Sequence, residues 1–249
     1  MRGSIARVAV ALIALVSVGC QSGIENDPIL VLSSAEALAE GKRLMGEEKY
    51  MQAQDYLTHA FEVEPNSAGG REALLLVADA HFLRDREDSY IRAEAKYRDF
   101  QTRFPTSQKA AYVQFQIADS LMRRLEKPDR DQTPTFEALS EFQNVIELYP
   151  TSQFGAEARE KIGLIRQHLA RHELAIGYFY FRSRNYNGAR QRLEYLLENY
   201  PEFDSTDRVL YLLGMTFHKI ENPEESAAAF ARLRGEFPDS EYVGKIPNS

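Results

Sequence analysis

Phe136 to Ser152, FEALSEFQNVIELYPTS, carries Phe136, Leu139, Phe142, Val145, Ile146 and Tyr149 at steps that place them on one helical face. Pro150 then stops the helix, because it has no N–H to donate and drives Tyr149 out of the α region. Ser152 reads as the N-cap of a following helix that carries Ala156, Ala158 and Ile162. The same aromatic-Pro-x-Ser ending stands at Phe104-Pro105-Thr106-Ser107 and Phe237-Pro238-Asp239-Ser240. Looser copies are Glu64-Pro65-Asn66-Ser67 and Tyr200-Pro201-Glu202-Phe203. A unit that ends alike five times is a repeat.

Working outward, the first unit is the most regular. Ala37, Gly41, Leu44, Ala53, Leu57, Ala60 and Pro65 fall at positions 4, 8, 11, 20, 24, 27 and 32 of a 34-residue unit. That is the tetratricopeptide (TPR) pattern of two antiparallel helices, A and B. Small residues at positions 8 and 20 let the two helices approach closely. The second unit restores the register at Ala93, Tyr97, Phe100 and Pro105, after the charged turn Arg84 to Asp88. In the third, a helix over 108–125 is separated from the opening stretch by EKPDRDQTP, Glu126 to Pro134, longer than an A–B turn requires. The fourth opens with a long helix, 153–183, whose second half supplies Gly177 and Tyr180. Ala189, Leu193, Leu196 and Pro201 then follow in phase. In the fifth, Leu210, Leu213, Gly214, Phe217, Ser226, Phe230, Leu233 and Pro238 are in register. The expected fold is all-α, an α-solenoid of about five TPR-like helix pairs over residues 34–240, with a tail at 241–249. No segment reads as a strand.

The N-terminus has a different grammar. Arg2 and Arg7 precede a mostly apolar run, Val8 to Val18, that is too short for a spanning helix of about 20 residues. Val18-Gly19 then meets Cys20, the one cysteine in the chain. This resembles a bacterial lipoprotein signal, with residues 1–19 removed and Cys20 carrying lipid. Ser17 stands where such signals usually have Leu, and Gln21 in place of Asp implies outer-membrane sorting. Residues 20–33 are expected to form the lipidated Cys and a flexible tether. Cleavage would leave no second cysteine for an internal disulfide, and would make the chain two charges more negative than its −7. That acidity is spread along the chain, which argues against a nucleic-acid partner.

Chemistry is sparse. His168 and His172 are four apart, a metal-ligand spacing, but no third ligand lies near in sequence and Glu173 is off the HExxH step. They read as surface histidines. Asp129 and Asp131 lie beside Lys127 and Arg130, which suggests a salt-bridged loop. No nucleophile-elbow, phosphate-loop or dinucleotide glycine pattern occurs, so no catalytic residue, metal or cofactor is assigned. Function is expected on the surface. Helical phase directs Lys42 and Met45 toward a groove along the A helices, with His81, Arg84, Tyr112, Asp119 and Met122 as further candidates.

The lipoprotein-like start, five TPR-like pairs, the stretched third unit with its DRDQTP loop, the YPTS stop and the long following helix together resemble the BamD family. These are TPR lipoproteins of the outer-membrane β-barrel assembly machinery. The likeness covers about residues 15–240 and is strongest from Asp129 to Pro201; the chain departs from it at Glu64-Pro65 and Gly69-Gly70. The resemblance implies a non-enzymatic scaffold, lipid-anchored at the outer membrane and facing the periplasm. It implies a BamA-like barrel-forming partner at the C-terminal repeats and nascent outer-membrane proteins at the N-terminal groove. Asp129, Arg130, Asp131 and Gln132 are the candidate partner loop. The main alternative is a TPR lipoprotein scaffold for another cell-envelope or peptidoglycan complex. A hydrolase whose residues converge only in three dimensions is a further rival.

Overall fold

The computed structural model describes residues 27–247. Cys20 and the lipoprotein-like segment lie outside the described residues. Five antiparallel pairs follow in order: α1 (Ser34–Gly46) with α2 (Tyr50–Val63), α3 (Ala68–Phe82) with α4 (Glu87–Arg103), α5 (Ala110–Met122) with α6 (Thr133–Leu148), α7 (Gly155–Arg182) with α8 (Tyr186–Asn199), and α9 (Thr206–Lys219) with α10 (Pro223–Glu236). Each helix packs on the next in chain order, as a solenoid requires.

The repeated stop is built the same way each time. The residue before proline has φ between −129° and −138° and ψ between 57° and 67° in all five units. The N–H two residues beyond the proline then donates back across it, as in Ser107 to Phe104 (3.0 Å), Ser152 to Tyr149 (2.9 Å) and Ser240 to Phe237 (3.1 Å). Proline sits at the second turn position, where its fixed φ belongs. Ser152 is not the N-cap of α7, however. Its Oγ accepts from the N–H of Phe154, and the helix begins at Gly155. Ser107 and Ser240 make the same two-residue bond, to Lys109 and Tyr242. The serine therefore shapes the turn rather than capping the helix. Ser67 is a true N-cap, on Gly70 N–H at 2.9 Å, and Ser33 closes a capping box with Glu36.

Close approach within a pair rests on position 8. A methyl group at Gly41, Gly177 or Gly214 would come within 2.6, 2.9 and 2.5 Å of Leu57, Leu193 and Phe230, each the position-24 residue of its own unit. The A–B turns share a second device. Glu48, Asp85, Arg184 and Glu221 have φ of 59°, 50°, 62° and 60°. That left-handed region costs a non-glycine residue about 1–2 kcal/mol. Arg184→Gly and Glu221→Gly are therefore expected to raise stability by roughly 1 kcal/mol each, less the entropy glycine adds to the unfolded chain. Urea midpoints check this, and an unchanged or lowered midpoint for both would contradict it. The third unit has no such residue, because the 126–134 loop replaces its turn.

The core divides in two. Ala37, Leu44, Ala53, Leu57 and Ala60 form a small interior with Ala73 and Val77 of α3. A larger one begins at Leu74, Leu75 and Ala78 on the other side of α3 and runs through α4–α9. Residues 27–33, expected as flexible tether, are turned back on α2: the His59 ring lies 3.0 Å from the Leu32 carbonyl, and just beyond, at the start of α1, Ser34 Oγ donates to the Ala60 carbonyl at 2.8 Å. At the far end the tail forms a 3₁₀ turn, Val243–Lys245, and Tyr242 stacks on Tyr211 at 5.3 Å.

Candidate functional site

The groove candidates separate into exposed and embedded groups. Lys42 is exposed and pairs with Glu72 of α3 at 2.6 Å. Met45 is half-buried against the first core. Arg84, with Lys49, Tyr50, Met51, Leu83 and Arg86, lines a cavity of about 400 Å³ at the A–B turns of the first two units. His81 is not on that open surface. It is buried beside Gln54, 3.2 Å away, and burial, with Arg84 adding to it, lowers its pKa to about 4.

That shift has a pH consequence. The folded imidazole resists a proton that the unfolded chain accepts near 6.5. Stability is complete above about pH 6.5 and falls as pH drops toward 4, because only the unfolded state then gains the proton. The expected loss by pH 5 is about 2 kcal/mol. His81→Gln should remove that part of the slope in urea titrations at pH 7.5 and 5; an unchanged slope would contradict the assignment.

Tyr112 and Asp119 belong to polar knots between helices. Tyr97 and Tyr112 both donate to Asp79 Oδ1, at 2.6 and 2.7 Å, tying α4 and α5 to α3. Burial raises the Asp79 pKa, and the two phenols partly offset it. Asp119 is buried, with Lys161 of α7 at 3.4 Å and Arg123 at 3.6 Å. Arg123 also covers the rings of Phe82 and Tyr90 at 5.5 and 5.9 Å. Met122 is half-buried against the larger core. Helical phase alone could not see which of these side chains a neighbouring repeat would engage.

A larger cavity, about 750 Å³, is walled by Lys109 and Tyr112 on one side and by Tyr149 to Phe154 on the other. Of the groove candidates only Tyr112 reaches it. The repeated stop supplies most of its wall, a role its helix-breaking chemistry did not announce.

The loop before α6 is a fastened structure. Gln132 is buried; its Nε2 donates to the Lys127 and Arg130 carbonyls at 3.0 Å each, and its Oε1 accepts from Thr135. Asp131 accepts from the N–H and hydroxyl of Thr133, which hold its carboxyl below the ordinary range. No ion pair of Asp129, Asp131, Lys127 or Arg130 occurs among the described residues, so the expected salt-bridged loop is instead a hydrogen-bonded one. The anchor comes from α7. The His172 Nδ1–H donates to the Pro128 carbonyl. His168 is half-buried, and burial keeps its pKa below the ordinary value against the opposing Glu126 backbone. These are not free surface histidines, as their spacing alone suggested. Glu173 beside them is buried and paired with Arg192 at 3.1 Å. Asp129, Arg130 and Asp131 remain exposed on this rigid base.

Known proteins share this chain's sequence across nearly all of its length. It is 27% identical over 234 residues to the outer membrane protein assembly factor BamD of Rickettsia prowazekii, covering 94% of this chain and 92% of that protein. Against the BamD of Caulobacter vibrioides it is 27% identical over 240 residues, covering 95% and 77%. Against that of Haemophilus influenzae it is 25% identical over 223 residues, covering 86% and 83%. Residues 32–233 match the YfiO family, described as an outer membrane lipoprotein. That match spans all but the last helix turn of the solenoid, so the chain belongs to the YfiO family of outer membrane lipoproteins.

Proposed function

We propose that this chain is a non-enzymatic scaffold in the assembly of β-barrel proteins into the outer membrane, held there by lipid on Cys20 and facing the periplasm. The observation that carries the reading is the family match over residues 32–233, with relatives named as outer membrane protein assembly factors. The architecture suits it. Stacked helix pairs offer long surfaces for extended segments, and a fastened loop offers a rigid contact. In this reading the C-terminal repeats hold a BamA-like barrel-forming protein. The N-terminal face, with Lys42, Arg84 and their neighbours, receives nascent barrel chains. Asp129 and Arg130 are partner contacts.

Depletion of the chain followed by quantitation of outer-membrane barrel proteins tests the function. Undiminished barrel levels would sink it and favour a scaffold for another envelope complex. The loop has its own test. Asp129→Ala with Arg130→Ala leaves Gln132, Asp131 and the His172 contact in place, so stability should stay within about 0.5 kcal/mol of the parent. Recovery of a BamA-like protein from detergent-solubilised envelopes should fall. Equal recovery at equal stability would remove the loop from the interface.

A further inference from the structure

Val31, 84% exposed, is the most exposed large apolar side chain among the described residues, and its neighbour Leu30 is 55% exposed. Both stand on a built turn. Asp27 accepts through Oδ1 from Ile29 N–H at 2.9 Å and through its carbonyl from Leu30 N–H at 3.1 Å. Pro28 occupies the second turn position, where its ring fixes φ. The Leu32 N–H then donates to the Ile29 carbonyl at 3.1 Å, and Leu32 packs on the first core while its carbonyl meets His59. Leu32 is thus turned inward, and Leu30 and Val31 are held outward. Val63, one helical turn beyond His59 on the same stripe of α2, is also exposed.

The position of this turn says what meets it. Cys20 stands seven residues before Asp27, a reach of about 25 Å even if fully extended. Acyl chains on Cys20 would therefore keep the turn close to the bilayer. We propose that Leu30 and Val31, with Val63, form an apolar foot that inserts at the interfacial level of the leaflet holding Cys20, fixing which edge of the solenoid faces the membrane. This rests on the reading of Cys20 as the lipid-bearing residue. Glu62 and Glu64 flank Val63, so the contact is apolar rather than a basic patch, and it should persist in high salt and on neutral lipid.

The chain lacks tryptophan and has one cysteine, which makes the test direct. The chain from residue 20 onward is coupled through Cys20 to a maleimide lipid in phosphatidylethanolamine–phosphatidylglycerol vesicles, so natural acylation is not needed. A Val31→Trp variant should then emit further to the blue and be quenched by lipids brominated along the acyl chain. A Met51→Trp variant, at the start of α2 and 65% exposed in the parent, should show neither effect. No shift for Val31→Trp, or equal shifts for both, overturns the foot. So does a blue shift that grows with protein concentration without vesicles, which would mark a contact between copies. The intact mass of the chain from native membranes tests the anchor separately. A free Cys20 thiol overturns the anchor and the setting of the proposal; an acylated Cys20 with an unshifted Val31→Trp overturns the foot alone.

Discussion

Gly70→Ala is expected to lower stability by about 3 kcal/mol or more, and Gly69→Ala beside it to be neutral or mildly stabilising. A methyl group at Gly70 would lie 1.9 Å from the Glu64 carbonyl oxygen and 2.9 Å from its carbon. Those are backbone atoms of the turn that ends α2, so no rotamer change relieves the clash. Gly70 N–H also caps onto Ser67, and moving the helix away would break that bond. At Gly69 the nearest atom is the tip of Leu38 at 3.4 Å, an ordinary contact. There alanine's helix propensity exceeds glycine's by up to about 1 kcal/mol. The two substitutions differ only in position, so urea midpoints for the pair form a controlled comparison. Equal midpoints would contradict the packing of α3 on this turn.

Phe142→Ala is expected to cost about 3–5 kcal/mol, the range for deleting a buried phenylalanine. Phe142 is fully buried, and its ring meets Phe115 edge-on at 5.5 Å. Phe115 in turn stacks on Phe154 at 5.3 Å. The cavity would therefore open at the junction of α5, α6 and α7, in the middle of the larger core. Phe136→Ala, in the same stretch, should change stability by no more than about 0.5 kcal/mol, because Phe136 is 52% exposed. A loss below about 1.5 kcal/mol for Phe142→Ala would show that α6 repacks freely, against the packing described.

The contrast between these two phenylalanines shows how far the sequence could be read. Periodicity set both on one face, but the three successive steps of three from Phe136 to Val145 fall about 180° short of whole helical turns. Phe136 thus lies across the helix from Val145, while Ala138, Phe142 and Val145 form the buried stripe. Helix ends, turns and the small-residue positions were legible because they depend on local chemistry: proline's missing N–H, and glycine facing leucine within one unit. Side-chain pairings between units were not. Asp79 with Tyr112, Asp119 with Lys161 and His172 with Pro128 join residues 33–44 apart, and nothing local in the chain marks them. The candidates His81 and Asp119 were chosen by helical phase, and the structure buries both against side chains of neighbouring helices, Gln54 and Lys161.

The divided core has a mechanical meaning. The buried residues of α1 and α2 share an interior with one face of α3, while α3–α9 share another, and Phe61 of α2 is the apolar side chain of this first pair that also packs against the larger one. In a chain of nearest-neighbour units, an end unit with its own small interior can detach while the rest stays folded. Any pull from an anchor at Cys20 would enter through residues 27–33, and so through that separable unit. The first repeat would act as a fuse in the line of force, yielding before the load reaches the loop and the C-terminal repeats.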